Sequence, residues 1–137
     1  MNCHIGEINQ VILNIVVNAV HAISDVVRDS SKRGKISVAT RYDSGFAVVS
    51  ISDTGCGIPD AIRDRIFDPF FTTKPVGRGT GQGLAIARST VVDRHKGELS
   101  LTTEVGRGTT FHIWLPIDPA NRARLPVTAK LRVTVSA

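Results

Sequence analysis

Three short runs in a fixed order constrain the fold and chemistry of this chain more than any other feature. They are NQVILNIVVNA at 9–19, DTGCG at 53–57 and GRGTGQGL at 77–84. The first has the spacing of a helix that carries asparagines, whereas the other two are glycine-rich loops, the second of which opens a helix. Each run alone is a weak signal. Together, in this order, they predict a pocket for adenine, magnesium and a triphosphate.

The first run belongs to a segment, residues 7–28, that contains neither glycine nor proline and predicts a long helix. This helix is apolar almost all round, but at 100° per residue its polar side chains fall on one narrow stripe. The stripe consists of Glu7, Asn14, Asn18, His21 and Asp25. A solvent-facing side is usually wider and rich in lysine and glutamate, and asparagine is a poor residue inside a helix. Because amide oxygens suit a hard cation, we favour a functional role for the two asparagines over a simple solvent-facing side.

The second run begins with a carboxylate at the end of a predicted strand. After Asp53, the glycines at 55 and 57 permit positive φ and a close approach of the backbone to a ligand. A carboxylate at this place can accept a hydrogen bond from an exocyclic amine such as that of adenine. It can equally cap a turn, as aspartate often does, and this run alone leaves both interpretations open.

The third run leads into the helix-forming segment 84–89, so its backbone N–H groups can meet a phosphate at the positive end of a helix dipole. It is no P-loop, because Gly-Lys-Ser/Thr is missing, and no dinucleotide fingerprint, because no strand immediately precedes it. A flexible linker is the alternative, but a linker need not end in a helix. Lys74 and Arg78 flank the run, and the pattern leaves open whether they bind phosphate or are solvated surface charges.

The remaining periodicity predicts two further helices and four strands in two hairpins. The predicted elements are strands at 35–42 and 46–53, a short helix with Pro59 in its first turn that ends at Ile66, a mobile loop at 68–80, a second long helix at 81–95, and strands at 97–104 and 109–115. This order predicts an α+β fold, a two-layer α/β sandwich whose helices pack on one face of a mixed, mainly antiparallel sheet.

Charge and composition argue against nucleic acid and membrane as partners of this segment. The net charge is +5, but residues 118–137 alone hold +3, so the rest of the surface is nearly balanced and shows no basic stripe with interleaved aromatics. No run approaches the roughly 20 apolar residues that cross a bilayer, and the N-terminus does not read as a signal peptide. Cys3 and Cys56 lack disulfide or metal-ligand spacing, which favours reduced thiols in the cytoplasm.

The last twenty residues read as a basic tail after a domain that spans 1–117. The two prolines of the tail favour a disordered segment, whereas Leu131, Val133 and Val135 alternate as in a strand. Both interpretations stay open.

In these runs the chain resembles the catalytic, ATP-binding domain of bacterial sensor histidine kinases, over residues 5–117. That domain has the Bergerat-type fold shared with DNA gyrase B, the mismatch-repair ATPase MutL and a heat-shock chaperone. Five segments carry the resemblance: Asn14–Asn18 resembles the N box, Asp53–Gly57 the G1 box, Ile66–Lys74 the F box, Gly79–Leu84 the G2 box, and Gly106–Phe111 the closing hairpin. The clustered phenylalanines of the F box are plausible anchors of a lid that closes over a nucleotide.

The resemblance implies ATP and Mg²⁺ as cofactors and assigns residues to them. Asn18 would coordinate Mg²⁺, Asn14 would lie near the metal and the phosphates, and Lys74 would join them in catalysis. Asp53 would bind the adenine amino group. The other nucleotide-binding residues implied are His21, Gly55, Gly57, Ile58, Phe67, Thr73, Arg78, Gly79, Thr80, Gly81, Gln82, Gly83, Leu84 and Thr109. Gln82 departs from the leucine often found at that place.

The same resemblance separates a kinase from an ATPase. ATPases of the superfamily carry a water-activating glutamate one helical turn before the magnesium asparagine. Asn14 stands there, and an amide cannot accept a proton at neutral pH. We therefore predict the catalytic domain of a histidine kinase, which hydrolyses ATP poorly and passes its γ-phosphoryl to a histidine on a separate dimerisation domain, for relay to a response regulator.

This interpretation implies a fragment of a larger kinase. Whether another part of that kinase anchors it in a membrane stays open. The four histidines of the chain lack the setting of a phosphoacceptor, and the family's strand ahead of the N-box helix is expected to be absent or truncated. The alternatives are a non-catalytic nucleotide-sensing module and a serine-directed kinase of the same superfamily.

Overall fold

The described chain begins with a long helix, which is followed by two strands, three helical segments and three further strands. The computed structural model describes residues 5–27, 33–69, 71, 83–117 and 128–136, the last range by its backbone. In chain order the elements are α1 (Ile5–Val27), β1 (Arg33–Asp43), β2 (Phe46–Asp53), α2 (Asp60–Arg63), α3 (Gly83–Ser89), a π-helical segment (Thr90–Arg94), β3 (Glu98–Glu104), β4 (Gly108–Pro116) and β5 (Thr128–Ser136). The predicted order of helices and strands over residues 7–115 is confirmed.

The strands form one sheet in the order β3-β4-β2-β1-β5. Its four pairings are antiparallel, so the sheet that we predicted as mixed but mainly antiparallel has no parallel pair among its described strands. Side chains that alternate along the strands are buried together with the helices in one core. From the strands these are Ile36, Ile51, Leu99, Phe111, Ile113 and Leu115. The predicted two-layer α/β sandwich is confirmed.

Helix α1 supplies the largest helical share of that core. Its buried residues recur at intervals of three and four, as expected for one stripe of a helix: Ile8, Val11, Ile15, Ala19, Ile23 and Val27. Full burial of each large aliphatic side chain contributes about 1.5–3 kcal/mol. Five of the six are large aliphatics, so α1 anchors the helical layer to the sheet.

The same helix corrects one expectation from the sequence. With 23 residues and a mean hydropathy of 1.6 over an 18-residue window, α1 is long and apolar enough to span a membrane by length and composition. The expectation that no run approaches bilayer-crossing length is therefore wrong for this segment. Core helices of soluble proteins meet the same criterion, and the buried stripe of α1 packs into the core with the sheet.

The second long helix differs from the prediction at its C-terminal end. It was expected at 81–95; residues 81–82 lie outside the described residues, the α-helical part is Gly83–Ser89, and the last turns, Thr90–Arg94, are π-helical. His95 follows directly, and its Nδ1 donates to the carbonyl oxygen of Thr90 at 2.8 Å. A widened turn of this kind depends on tertiary contacts, so residue propensities do not predict it.

The first hairpin and the short helix follow the sequence closely. Ser44 and Gly45 have φ of 50° and 92°, the left-handed values that a two-residue hairpin turn requires, so the predicted β1–β2 hairpin is confirmed. The short helix was expected from Pro59 to Ile66 but spans Asp60–Arg63, and Pro59 lies extended just before it rather than in its first turn.

Strand β5 lies in the C-terminal segment, for which the sequence supported both a disordered tail and a strand. It pairs with β1 over nine residues, from Arg33 opposite Ser136 to Arg41 opposite Thr128. The strand interpretation therefore holds for 128–136, whereas 118–127 lies outside the described residues. The sheet thus extends beyond the predicted domain boundary at residue 117.

We expect a chain that ends at Ile117 to unfold at least about 5 °C below the full chain and to self-associate. Without β5, the backbone groups of β1 that point toward β5 along residues 33–41 become an unpaired edge, which is a template for pairing with another chain. Thermal unfolding and size-exclusion chromatography with light scattering measure both effects. A full-length variant with Lys130→Gln and Arg132→Gln keeps the strand and is the control for lost charge. An unchanged unfolding temperature and a monomeric truncated chain would contradict this expectation.

Candidate functional site

The loop after β2 and the start of α3 both contact α1. A Cβ placed on Gly55 would lie 2.5 Å from the Cβ of Ala22, so the loop after β2 rests directly on α1. The side chain of Asn14, two turns earlier on the helix, donates from Nδ2 to the carbonyl oxygen of Gly83 at 3.2 Å, where α3 begins. The three runs therefore converge on one side of α1.

Asn18 lies between these two contacts on α1. Residues four apart on a helix lie on the same side, so Asn14, Asn18 and Ala22 form a row. Since Asn14 contacts the start of α3 and Ala22 contacts the loop after β2, Asn18 lies on the same side of α1 between these two contacts. His21 follows within the next turn and is partly buried like Asn18.

The polar stripe on α1 divides into two parts with different roles. Near the N-terminus of α1, Glu7 forms an ion pair with Arg94, with Oε1 and a guanidinium nitrogen 2.6 Å apart, and thereby fastens the helix to the π-helical segment. Asn14 also accepts from the Gln10 amide at 3.0 Å. Glu7 therefore has a structural role in the stripe, whereas the residues from Asn14 onward lie where α1 contacts α3 and the loop after β2.

Asp53 is fixed by the backbone at the end of β2. Its Oδ1 accepts hydrogen bonds from the N–H groups of Gly55 at 2.9 Å and Thr109 at 3.3 Å. Burial raises the pKa of the Asp53 carboxyl above its usual value, and these two donors lower it only in part. Because Oδ1 is occupied, Oδ2 is the oxygen that remains for a ligand. Through Oδ1 the half-buried carboxylate caps the turn at Gly55, so a ligand-binding role rests on Oδ2.

Glycines bring the loop after β2 into contact with the turn between β3 and β4. Gly57 has φ of 79°, and a Cβ on it would overlap the carbonyl group of Glu104. Gly108 has φ of 134°, and a Cβ on it would overlap the carbonyl oxygen of Asp53 itself. Only glycine combines these angles with so close a backbone approach. The position of Asp53 thus depends on the closing hairpin.

Thr103 is a site residue that the sequence analysis missed. Its Oγ1 accepts from the backbone N–H of Ile58 at 2.9 Å, donates to the carbonyl oxygen of Gly108 at 3.2 Å and lies 2.9 Å from Oγ1 of Thr109. It follows Leu99 and Leu101 on the core-facing side of β3. A hydroxyl on an otherwise aliphatic strand face was the available signal.

The F-box aromatics pack as anchors. Phe67 and Phe71 lie partly buried against the core, next to the buried Ile66. The Arg65 guanidinium lies 4.5 Å from the centroid of the Phe71 ring, and that of Arg88 lies 6.0 Å from the centroid of Phe67. Both contacts are within cation–π range. The start of the predicted lid is thus attached to the core and to the helix that begins at Gly83.

Several predicted residues fall outside the described part of the chain. They are Thr73, Lys74, Arg78, Gly79, Thr80, Gly81 and Gln82. Of the glycine loop, the structure describes Gly83 and Leu84, and Leu84 packs against the core. Of the two cysteines it describes Cys56, an exposed free thiol whose pKa is raised by partial burial and by the carboxylates of Asp25 and Asp53.

Comparison with known proteins identifies the family. Residues 4–119 match the family described as histidine kinase-, DNA gyrase B- and HSP90-like ATPase. The chain belongs to this family. The resemblance drawn from the five boxes is thereby confirmed.

Similar curated proteins are sensor kinases. The chain is 43% identical over 113 residues to the signal transduction histidine-protein kinase AtoS of Escherichia coli K12, a match that covers 82% of this chain and 17% of AtoS. It is 35% identical over 136 residues to the sensor kinase CckA of Brucella abortus, with 92% of this chain and 14% of CckA covered. The chain thus spans less than a fifth of the length of these relatives.

Solved structures agree with the fold. The catalytic domain of the histidine kinase ThkA, in a nucleotide-free form, superposes with a TM-score of 0.70 at 32% identity, and 88% of this chain and 72% of that one are covered. The mycobacterial sensor histidine kinase MprB gives a TM-score of 0.61 at 30% identity, with coverages of 81% and 70%. Together, the comparisons support a histidine-kinase-type, ATP-binding catalytic domain over the two alternative functions.

Proposed function

We propose that this chain binds ATP with Mg²⁺ and donates the γ-phosphoryl group to a histidine on the dimerisation and phosphoacceptor domain of a full-length sensor kinase. A response regulator would take the phosphoryl group from that histidine. The observation that carries the proposal is the oriented Asp53 carboxylate, with Oδ1 held by two backbone donors and Oδ2 left for a ligand. An acceptor oxygen so placed matches the exocyclic amine of adenine.

The metal-binding end is proposed on the chemistry of its donors. Mg²⁺ takes oxygen ligands, and it is usually held by one or two protein groups together with phosphates and water. The amide oxygen of Asn18, on the side of α1 that contacts α3 and the loop after β2, fits this requirement, and Asn18 is the residue that would hold the ion. When bound, Mg²⁺ would neutralise charge on the triphosphate, and Lys74 would add a further positive charge.

Asn14 is assigned to positioning rather than to proton transfer. Its amide bonds Gln10 through Oδ1 and the Gly83 carbonyl through Nδ2, and thereby ties α1 to the helix that follows the phosphate loop. An amide cannot take a proton from water. We therefore expect slow ATP hydrolysis, which preserves the γ-phosphoryl group for the acceptor histidine.

The transfer itself is an exchange of one bond for another. A ring nitrogen of the acceptor histidine forms a bond to the γ-phosphorus as the bond from that phosphorus to the bridging oxygen breaks, and ADP leaves with the electron pair. Little covalent chemistry is required of the protein, which acts through positioning and electrostatic stabilisation. The use of ATP supports a cytoplasmic location for this reaction, and transfer to the acceptor histidine would make the full-length kinase a transient phosphoprotein.

We expect Asn18→Ala to lower phosphotransfer to the acceptor domain by at least about 100-fold, because it removes the amide oxygen proposed to hold Mg²⁺. Alanine keeps the helix, so the fold should persist. Transfer of labelled phosphate to the purified acceptor domain measures the effect. Asn9→Ala, at an exposed position of the same helix, is the matched control and should transfer at the wild-type rate.

Two outcomes would contradict the proposal. Equal transfer by Asn18→Ala and wild type would remove Asn18 from the metal site. Failure of the wild type to label any acceptor domain, under conditions where ATP binds, would favour the non-catalytic nucleotide-sensing module.

A further inference from the structure

The hydroxyl of Thr103 stands at the junction of three backbone segments. It joins the loop after β2, through Ile58, to the turn and first residues of β4, through Gly108 and Thr109. Thr103 is partly buried, and Thr109 is 6% exposed. Hydrogen bonds in such a setting are costly to leave unmade. The hydroxyl therefore links the two backbone segments that flank Asp53, which are the loop after β2 and the start of β4.

Donor and acceptor counting gives one arrangement of the hydroxyl hydrogens that satisfies every contact of this group. A threonine hydroxyl has one hydrogen and two lone pairs. Thr103 gives its hydrogen to the Gly108 carbonyl and accepts the N–H of Ile58. The 2.9 Å contact with Thr109 must then use the second lone pair of Thr103. All three hydrogen bonds of Thr103 form together only when Thr109 is the donor in that contact.

The orientation of Thr109 has a consequence for the ligand. When the Thr109 hydroxyl donates its hydrogen to Thr103, it can only accept a hydrogen bond from a ligand. The backbone N–H of the same residue holds Oδ1 of Asp53, so the two groups are adjacent. Asp53 Oδ2 and Thr109 Oγ1 are then both acceptors, which complement the exocyclic amine of adenine and oppose the carbonyl oxygen that guanine has at the same ring position.

We propose that Thr103 is a positioning residue that sets the preference of this pocket for adenine over guanine. It does so by holding the loop at Ile58 and by keeping the Thr109 hydroxyl an acceptor. This inference rests on the proposed nucleotide-binding function and adds to it a determinant of base selectivity. In the absence of Thr103 Oγ1, the Thr109 hydroxyl can rotate and donate to a guanine oxygen.

The test compares ADP and GDP binding to full-chain variants by calorimetry. Thr103→Val has nearly the same shape without the hydroxyl, and Thr103→Ser restores the hydroxyl. Thr102→Val makes the same change on the opposite face of β3, where the side chain is exposed, and is the matched control. We expect Thr103→Val to weaken ADP binding about tenfold and to lower the ADP-to-GDP affinity ratio by a similar factor. Thr103→Ser and Thr102→Val should stay within about twofold of wild type.

Three results would overturn the inference while leaving the nucleotide site intact. They are wild-type affinities in Thr103→Val, equal losses for ADP and GDP in that variant, and failure of Thr103→Ser to restore selectivity. Thermal unfolding of each variant establishes that it is folded. If the wild type itself binds no ADP, the proposed function fails and this inference fails with it.

Discussion

The Asp53→Asn variant is expected to bind ADP at least about 100-fold more weakly than the wild type. The substitution keeps a carbonyl oxygen for the N–H groups of Gly55 and Thr109, so the loop retains its internal hydrogen bonds. It turns the remaining atom from an acceptor into an N–H donor, which then opposes the donor amine of adenine. A lost hydrogen bond to a charged group together with a donor–donor conflict accounts for about 3 kcal/mol, or a factor of about 100.

The same variant should be as stable as the wild type, or more stable, at neutral pH. Burial raises the pKa of the Asp53 carboxyl, so the folded state favours the protonated acid more than the unfolded state does. The ionised side chain therefore costs stability at every pH above its folded pKa, and that cost is relieved as pH falls through the folded pKa toward the unfolded value. Asparagine has no such cost.

Thermal unfolding of both proteins across the acidic range checks this second expectation. Any advantage of Asp53→Asn at pH 7 should shrink as the wild-type carboxyl becomes protonated. A variant that loses both binding and stability at pH 7 would instead show that Asp53 holds the loop together and has no dedicated role toward the ligand.

The Gly108→Ala substitution should have the largest effect on stability. Gly108 has φ of 134°, and a Cβ there overlaps the carbonyl oxygen of Asp53, so the β3–β4 turn has to move away from the end of β2. We expect a loss of about 2–4 kcal/mol in the free energy of unfolding. ADP binding should be lost as well, because the N–H of Thr109 moves away from the Asp53 carboxylate.

Gly106→Ala is a matched control in the same turn. Gly106 also has a left-handed φ, of 85°, but a Cβ there meets no atom within 4 Å. Its substitution should therefore cost only about 1 kcal/mol, the penalty for the backbone angle. Urea unfolding gives the free energy of unfolding of both variants, and the difference between them is the cost of the steric overlap at Gly108 beyond the cost of the backbone angle. Equal losses in Gly106→Ala and Gly108→Ala would contradict the close contact with Asp53.

Local patterns predicted the fold because each element carries its own signal. The alternation in β2 and β4, the Ser44-Gly45 turn and the apolar repeat of α1 are all readable without tertiary information. They led to the β1–β2 and β3–β4 hairpins, whereas the pairing of β2 with β4, which joins the two hairpins into one sheet, was not predicted. The tail was ambiguous because prolines and alternation point in opposite directions, and pairing with β1 decides in favour of a strand at 128–136.

The parts that the sequence did not predict depend on contacts between distant segments. The π-helical turn at Thr90–Arg94 includes a hydrogen bond to the His95 ring, which helix propensity does not encode. Thr103 reads as an ordinary strand residue until Ile58 and Gly108 are brought beside it. For the same reason, the convergence of the three runs on α1 was predictable from their order, whereas the two roles within the polar stripe were not.

A calorimetric titration of the wild-type chain with ADP and with a non-hydrolysable ATP analogue, each with and without Mg²⁺, tests the nucleotide site most directly. We predict micromolar binding of both, about −6 to −8 kcal/mol, with the analogue bound more tightly when Mg²⁺ is present. A folded chain that binds neither nucleotide under any of these conditions would contradict the assignment of an ATP-binding catalytic domain.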